Sequence, residues 1–428
     1  MPVISSLTAR EILDSRGRPT VQATCVLASG AVGTASVPSG ASTGTAEALE
    51  LRDGDPRRYH GLGCRVAVEK VNATIHGALA NQPLADQAAL DETLIALDGT
   101  ANKSRLGANA TLAVSLAFAR ALAADTDTPL YQYFADVLGQ PLRALPRPTI
   151  NLFSGGKHAG GQVAIQDVLV VPIAARTIDE ALAMTFDVYQ AAADIAYRQY
   201  GMRALTADEG GLAPPFPSAE AMLSDAVDAC RAAGFEPSRD IALAVDVAAS
   251  HFYHDGRYHL DGADLDSAGM IARLAGWLDR YPIISIEDGL AEDDWDAWPE
   301  LRARLAGRAL VLGDDLLCTN PARIRRAIAT DAADALLLKV NQIGTLTEAA
   351  GSCRLARAAG WRVTISARSG ETEDDWLADL AVGWSGEGIK VGSIQHSERL
   401  AKYNRLLAIE HDTGLPLVAW PAPAQRVP

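Results

Sequence analysis

From residue 241 to residue 391 the chain repeats one pattern: a short apolar run, then a charged residue, then a helical stretch. The apolar runs cover residues 241–247, 281–286, 309–312, 335–340, 361–365 and 388–391. Strands alternating with helices at roughly 25–40 residue spacing imply a parallel sheet. With this many units in one chain, a closed (β/α) barrel is the first choice and an open doubly wound sheet the second. No GxGxxG or GxxxxGK[ST] follows a strand, which removes the commonest reason to prefer the open sheet.

The charged residues are the informative part. The runs lead into Asp246, Glu287, Asp314 with Asp315, Lys339, Arg368 and Lys390 in turn. In a parallel barrel the carboxyl ends of the strands share one face, where barrel active sites are built. Three carboxylates and three cations would therefore meet at one mouth. An isolated charge at a strand end merely reaches solvent, but six in succession are a pattern.

Upstream the organisation differs. Residues 21–27 and 31–37 are β-rich runs joined through Ser29-Gly30, which reads as a hairpin. An apolar helical stretch covers 108–124. Pro141, Pro146 and Pro148 then mark a boundary, giving an N-terminal α+β domain over 1–138 and a barrel domain over 139–428. Thr177-x-x-Glu180 is a capping-box signature for a helix whose apolar period runs Ile178, Leu182, Phe186, Tyr189, Ala193, with Gly201 able to end it. A second helix covers 218–233, with Met222, Leu223, Ala226, Val227 and Cys230 on one face.

Composition narrows the partners. A formal charge of −15 argues against nucleic acid, which requires a basic face. No apolar run is long enough to span a bilayer and the N-terminus lacks a secretory pattern, so the expected location is the cytoplasm. The five cysteines show no metal-ligand spacing and are expected to be reduced and mostly buried. Of 38 basic residues only six are lysines: Lys70, Lys103, Lys157, Lys339, Lys390 and Lys402. Unlike arginine, lysine can lose its proton, so a surviving lysine can mark a reactive base.

These identities suit one chemistry. Three carboxylates offer an all-oxygen site for a hard cation such as Mg²⁺. A lysine beside that cation should have a lowered pKa and can act as a base. Lys390 can hold a substrate carboxylate. Taking a proton from the carbon next to that carboxylate builds charge on its oxygens, which magnesium stabilises. Three glycine-rich loops, at 37–44, 154–158 and 207–214, are candidates for a closing lid. Each alone is more often an ordinary surface loop or turn.

Several stretches together resemble the enolase family over nearly the whole chain. They are DSRGRPTV (14–21), VPSGASTG (37–44), DEGG (208–211), DVAAS (246–250), SIEDGLAEDDWDAW (285–298), GDDLLCTNP (313–321), LLLKVNQIGT (336–345), RSGETED (368–374) and SERLAKYN (397–404). The resemblance implies a modified (β/α)8 TIM-type barrel with a smaller N-terminal α+β domain, and a homodimer or higher homo-oligomer. It implies Lys339 as base and Glu209 as acid, with Asp167 as a further catalytic residue. Asp246, Glu287 and Asp314 resemble the first magnesium site, and Ser42 a ligand to a second ion recruited with substrate. Arg368 and Ser369 would hold a phosphoryl group and Lys390 the carboxylate, while His158 and Gln166 match active-site residues.

Four departures lie in or beside this site. The family's glutamate after Gln166 is Asp167, its histidine before Arg368-Ser369 is Ala367, and its Asn-Gly-Gly-Ser/Ala-His loop is Ser154-Gly-Gly-Lys157-His158. Val391 and Ser393–His396 replace a Thr-Gly-Ala-Pro-type segment. With the acid–base residues and ligands kept, these changes point to a specialised lyase. Its substrate would be a small anion resembling 2-phosphoglycerate but bulkier and more anionic near phosphorus, such as a carboxyphosphono derivative of phosphonate biosynthesis. Lys157 would meet the added charge and Ala367 provide the room. Ordinary glycolytic enolase and a non-catalytic enolase-like binding protein are the alternatives.

Overall fold

The computed structural model describes residues 1–41, 43–201 and 205–420. Three antiparallel strands open the chain: β1 (Ile4–Leu13), β2 (Pro19–Leu27) and β3 (Val32–Ser36), in the order β1-β2-β3. The expected hairpin joins β2 to β3, with Gly30 N–H donating to the Leu27 carbonyl at 2.9 Å. β1 was not foreseen, because its sequence mixes polar and apolar residues without a clean alternation. Helix Ala108–Asp125 packs against β2 and β3 and is buried along almost its whole length. Its small apolar residues run all the way round, as they must in a helix enclosed on every side. Gly33 on β3 lies so close that a Cβ there would stand 2.1 Å from the Ala117 carbonyl oxygen.

Eight further strands close into a barrel: β4 (Arg147–Ser154), β5 (Asp167–Val171), β6 (Ala242–Asp246), β7 (Ile283–Glu287), β8 (Leu310–Gly313), β9 (Ala335–Leu338), β10 (Arg362–Ser366) and β11 (Gly388–Gly392). Their order round the wall is β7-β8-β9-β10-β11-β4-β5-β6, which excludes the open sheet. The last six are the strands expected from sequence. β4 and β5 were missed, and β5 runs antiparallel to both its neighbours. This reversal matters for the site, because β5 presents its first residue, Asp167, at the mouth where its neighbours present their last. Asp167 pairs in register with Ser154 on one side and Asp246 on the other.

The capping residues behave as read. Thr177 accepts from the Glu180 N–H at 3.0 Å and opens helix Ile178–Tyr200, which Gly201 ends at φ 63°. The expected face of that helix is met in part: Ile178 and Tyr189 are buried and Leu182 and Ala193 pack against the core, but Phe186 is 54% exposed. Ala181, Thr185, Val188 and Ala192 complete the buried face. Ser218 caps helix Ala219–Ala232, whose predicted face is buried. All five cysteines are buried and free. Among the described residues no helix is long and apolar enough to cross a membrane.

Two glycine substitutions test the packing. Gly33→Ala forces a methyl group onto the backbone of helix Ala108–Asp125 and should cost about 3 kcal/mol. Gly351→Ala, in a helix with open space at that position, should be neutral or stabilise by up to about 1 kcal/mol. Urea midpoints at unchanged slope report both; equal midpoints would refute the close approach of β3.

Candidate active site

β6, β7, β8, β9 and β11 bring their terminal charges to one mouth. Lys390, within β11, extends its ammonium between two neighbouring strands, 2.8 Å from Asp246 Oδ2 and 2.7 Å from Glu287 Oε2. Lys339, just past β9, pairs with Asp314, just past β8. All five side chains are buried. Gln166 donates to Asp246 at 3.0 Å, and Gln342 to Asp314 at 2.9 Å, which fixes both carboxylates from behind.

The second half of the mouth comes from β4, β5 and the loops after them. Asp167 accepts from the Ser154 hydroxyl at 2.6 Å and lies 3.0 Å from His158 Nδ1. The other ring nitrogen of His158 lies 3.8 Å from Glu209 Oε1, and Asn151 donates to the second Glu209 oxygen at 3.0 Å. His158 thus stands between two carboxylates. Burial opposes its charge, but Asp167 and Glu209 outweigh burial and raise the imidazole to about 9. Burial also pushes Glu209 up, yet His158, Arg399, Lys390 and Lys339 together hold it below the usual range.

His158, Gln166, Glu209, Asp246, Lys339, Arg368, Ser369 and Lys390 line one enclosed cavity with Ala41, Ser366 and Ala367. Its volume is only about 20 Å³, because the lysines lie across it onto the carboxylates. Asp167 stands behind His158, and Glu287 and Asp314 behind the two lysines. Lys157 is not brought in: it is exposed and faces a separate cleft, while its neighbour His158 turns inward. Ser42, expected as a metal ligand, lies outside the described residues.

The lowered Lys339 pKa expected beside a divalent cation is a property of the metal-loaded site. Among its protein neighbours alone, burial lowers the Lys339 pKa, while Asp314 and Glu287 together outweigh burial and hold the ammonium above its usual range. Lys390 is likewise raised, against burial, by Asp246 and Glu287.

Several site residues carried no signal of their own in the sequence. Asp288, at φ 44°, accepts the N–H groups of Asp314 and Asp315 at 3.0 and 2.7 Å, and so shapes the turn after β8. Arg399, fully buried, donates to the carbonyls of Arg368, Ser369 and Val391 at 2.7, 2.5 and 2.9 Å. Glu47 reaches from the N-terminal region to Arg368 at 2.9 Å, and Arg16 donates to Ser369 at 3.1 Å. Asp288, Arg399 and Arg16 lie within the resembling motifs, which alone could have flagged them, while Glu47 lies outside every one of those motifs.

The donor set fits a hard divalent cation. Asp246, Glu287 and Asp314 supply only oxygens, and two ammonium groups already held there show that the mouth stabilises positive charge. Burial and the adjacent Asp246 push the Glu287 carboxyl well above its usual range, so more cationic charge would be accommodated. In the described structure the three carboxylates are not drawn into one compact group. Among the described residues, the acidic or histidine groups whose ligand atoms come within 4.8 Å of one another are His158–Asp167–Glu209 and Asp288–Asp314–Asp315.

Two family models match the chain: the enolase N-terminal domain over residues 4–134 and the enolase C-terminal TIM barrel domain over residues 142–418.

The His158 ion pair has a measurable consequence. Its folded pKa lies above the ordinary 6.5, so the stability it adds is fully present below that value and is lost as pH rises through about 9. Asp167→Asn should lower the imidazole pKa by about one pH unit or more, read from histidine ring-proton shifts in an NMR titration. An unchanged titration would show that Asp167 is not the partner.

Proposed function

The chain belongs to the enolase family, and from that premise we propose that it is a magnesium-dependent lyase that removes the proton next to a carboxylate and eliminates water from the adjacent carbon. The observation that carries this reading is that Lys339, Glu209, Lys390 and Arg368 line one enclosed cavity backed by three buried carboxylates.

In this reading Lys390 pairs with the substrate carboxylate, while Arg368 and Ser369 hold the phosphoryl group. The Lys339 amine takes the proton from the carbon next to the carboxylate. The electron pair left behind forms the carbon–carbon double bond as the neighbouring carbon–oxygen bond breaks. Glu209 delivers the proton that turns the departing hydroxide into water, and the imidazolium of His158, 3.8 Å away, keeps a proton within reach of it. Asp246, Glu287 and Asp314 would hold magnesium, which when bound supplies stabilisation of the negative charge gathering on the substrate carboxylate.

The substrate is read as a relative of 2-phosphoglycerate with added bulk and negative charge near phosphorus. Ala367 supports this, since it lines the cavity where the family resemblance places a histidine. Ordinary glycolytic enolase remains the alternative and predicts efficient turnover of 2-phosphoglycerate itself. A purely binding role has less support, because it would give no reason to keep two lysines buried against three carboxylates.

Turnover measured with magnesium on 2-phosphoglycerate and on its carboxyphosphonate analogue should favour the analogue. Lys339→Met should lower kcat by at least ~10²-fold on the better substrate and suppress exchange of the α-proton with solvent. A variant that still exchanges this proton at the parent rate would remove Lys339 from the role of base.

A further inference from the structure

Beyond the mouth, on the other side of the loop that carries His158, lies a cleft of about 740 Å³. The enclosed cavity beside it offers about 20 Å³, so a substrate group of any size beyond the reacting core needs other space. We propose that this cleft is a subsite for a second anionic group of the substrate, with Lys157 and His251 as its recognition residues. The proposal rests on the lyase reading for the identity of the molecule, but not for the chemistry of the cleft.

The cleft wall is built for an anion. Lys157 is exposed, and among the described residues it makes no ion pair. Lysine is scarce in this chain, six in 428 residues with a net charge of −15, so an uncommitted ammonium beside an active site stands out against its surroundings. His251 lines the same cleft and its Nδ1 is buried without a hydrogen-bond partner. Gly160 and Gly161 form the rim, with open space where a Cβ would be, so a ligand can approach the backbone there. The one acid in the wall, Asp261, is committed elsewhere: it accepts from the Ala219 N–H at 3.0 Å and lies 3.9 Å from Arg273.

The cleft is also tied to the mouth. Consecutive residues of one short turn, Lys157 and His158, face the cleft and the cavity respectively. His251 follows closely after Asp246 in sequence, and the fields of both Lys157 and Asp246 reach it. An anion seated against Lys157 would therefore be part of a molecule whose reacting end lies against His158 and Asp246. A carboxylate or phosphonyl group is the matching chemistry, since an ammonium and an imidazole N–H both donate to oxygen.

Equilibrium binding decides the matter. Calorimetry in the presence of magnesium would compare 2-phosphoglycerate with the analogue in which one phosphate oxygen is replaced by a carboxylate bonded to phosphorus. The parent chain should bind the analogue at least about tenfold more tightly, and Lys157→Ser should abolish most of that preference. His251→Ala should reduce it, and Lys157→Arg should retain it. An equal preference in the parent and in Lys157→Ser, or no preference in the parent, overturns the proposal. Lys157 is exposed, so its variants are expected to fold, and circular dichroism checks this. If neither compound is turned over, the lyase reading fails while the ratio of dissociation constants still decides the subsite.

Discussion

Five buried charges depend on one another at the barrel mouth, and the site exists only because they compensate. Asp246 and Glu287 share the ammonium of Lys390, and Asp314 takes that of Lys339. A buried carboxylate without a partner is strongly unfavourable, and so is a buried lysine. Brought together from five separate strand ends, they tolerate burial that none would tolerate alone. Such an array is stable as a resting arrangement and also ready to exchange its cations. In the proposed function a small divalent ion and an anionic substrate would replace the internal pairs with external ones, leaving the lysines to face the substrate.

Everything further out serves to keep those charges in register. The parallel ladder of β6 and β7 sets Asp246 opposite Glu287. The antiparallel β5 places Asp167 opposite Asp246, so a carboxylate enters the mouth from a strand that begins there. Asp288 holds the backbone after β8 through two N–H groups, and Arg399 ties down two carbonyls of the loop after β10 and one within β11. These are hydrogen bonds to charged groups, stronger than neutral ones, and they act on backbone that would otherwise be free to drift. Positioning at the ångström level matters because reacting groups that slip by that much lose much of their advantage.

Much of this could be read from the sequence, for a physical reason. A strand buried on both faces must be continuously apolar, so the charge at its end is conspicuous, and β6 to β11 announced themselves this way. β4 was hidden because its run contains Arg147, Asn151 and Ser154, which the interior accepts once they are paired: Asn151 and Ser154 bond to carboxylates, and Arg147 to backbone carbonyls including that of Val418 at 2.9 Å. β5 followed a glycine loop too closely to be separated from it. On helix Ile178–Tyr200 the stripe was legible except at Phe186, which lies outside the face completed by Ala181, Thr185 and Ala192. Lys157 could be recognised as unusual, but not placed. Adjacent residues of a tight turn face different ways, and no periodicity reveals which.

Two of the positions that depart from the family resemblance, Ser154 and Asp167, are in direct contact. Ser154 and Asp167 pair in register across β4 and β5, and the serine hydroxyl donates to the aspartate at 2.6 Å. A glutamate at 167 would carry its carboxylate about one methylene further, on the order of 1 Å, into a cavity that already holds little more than a water molecule. The shorter aspartate is instead retained at the wall, satisfied by the hydroxyl on one oxygen and by His158 on the other. Independent drift would leave a shortened acid with a lost partner; here the partner is present and the acid is fully buried. The pair therefore seats its negative charge against the imidazole that stands against Glu209. In the proposed function this leaves the Asp167 carboxylate behind His158 and out of the lining that an anionic substrate would meet.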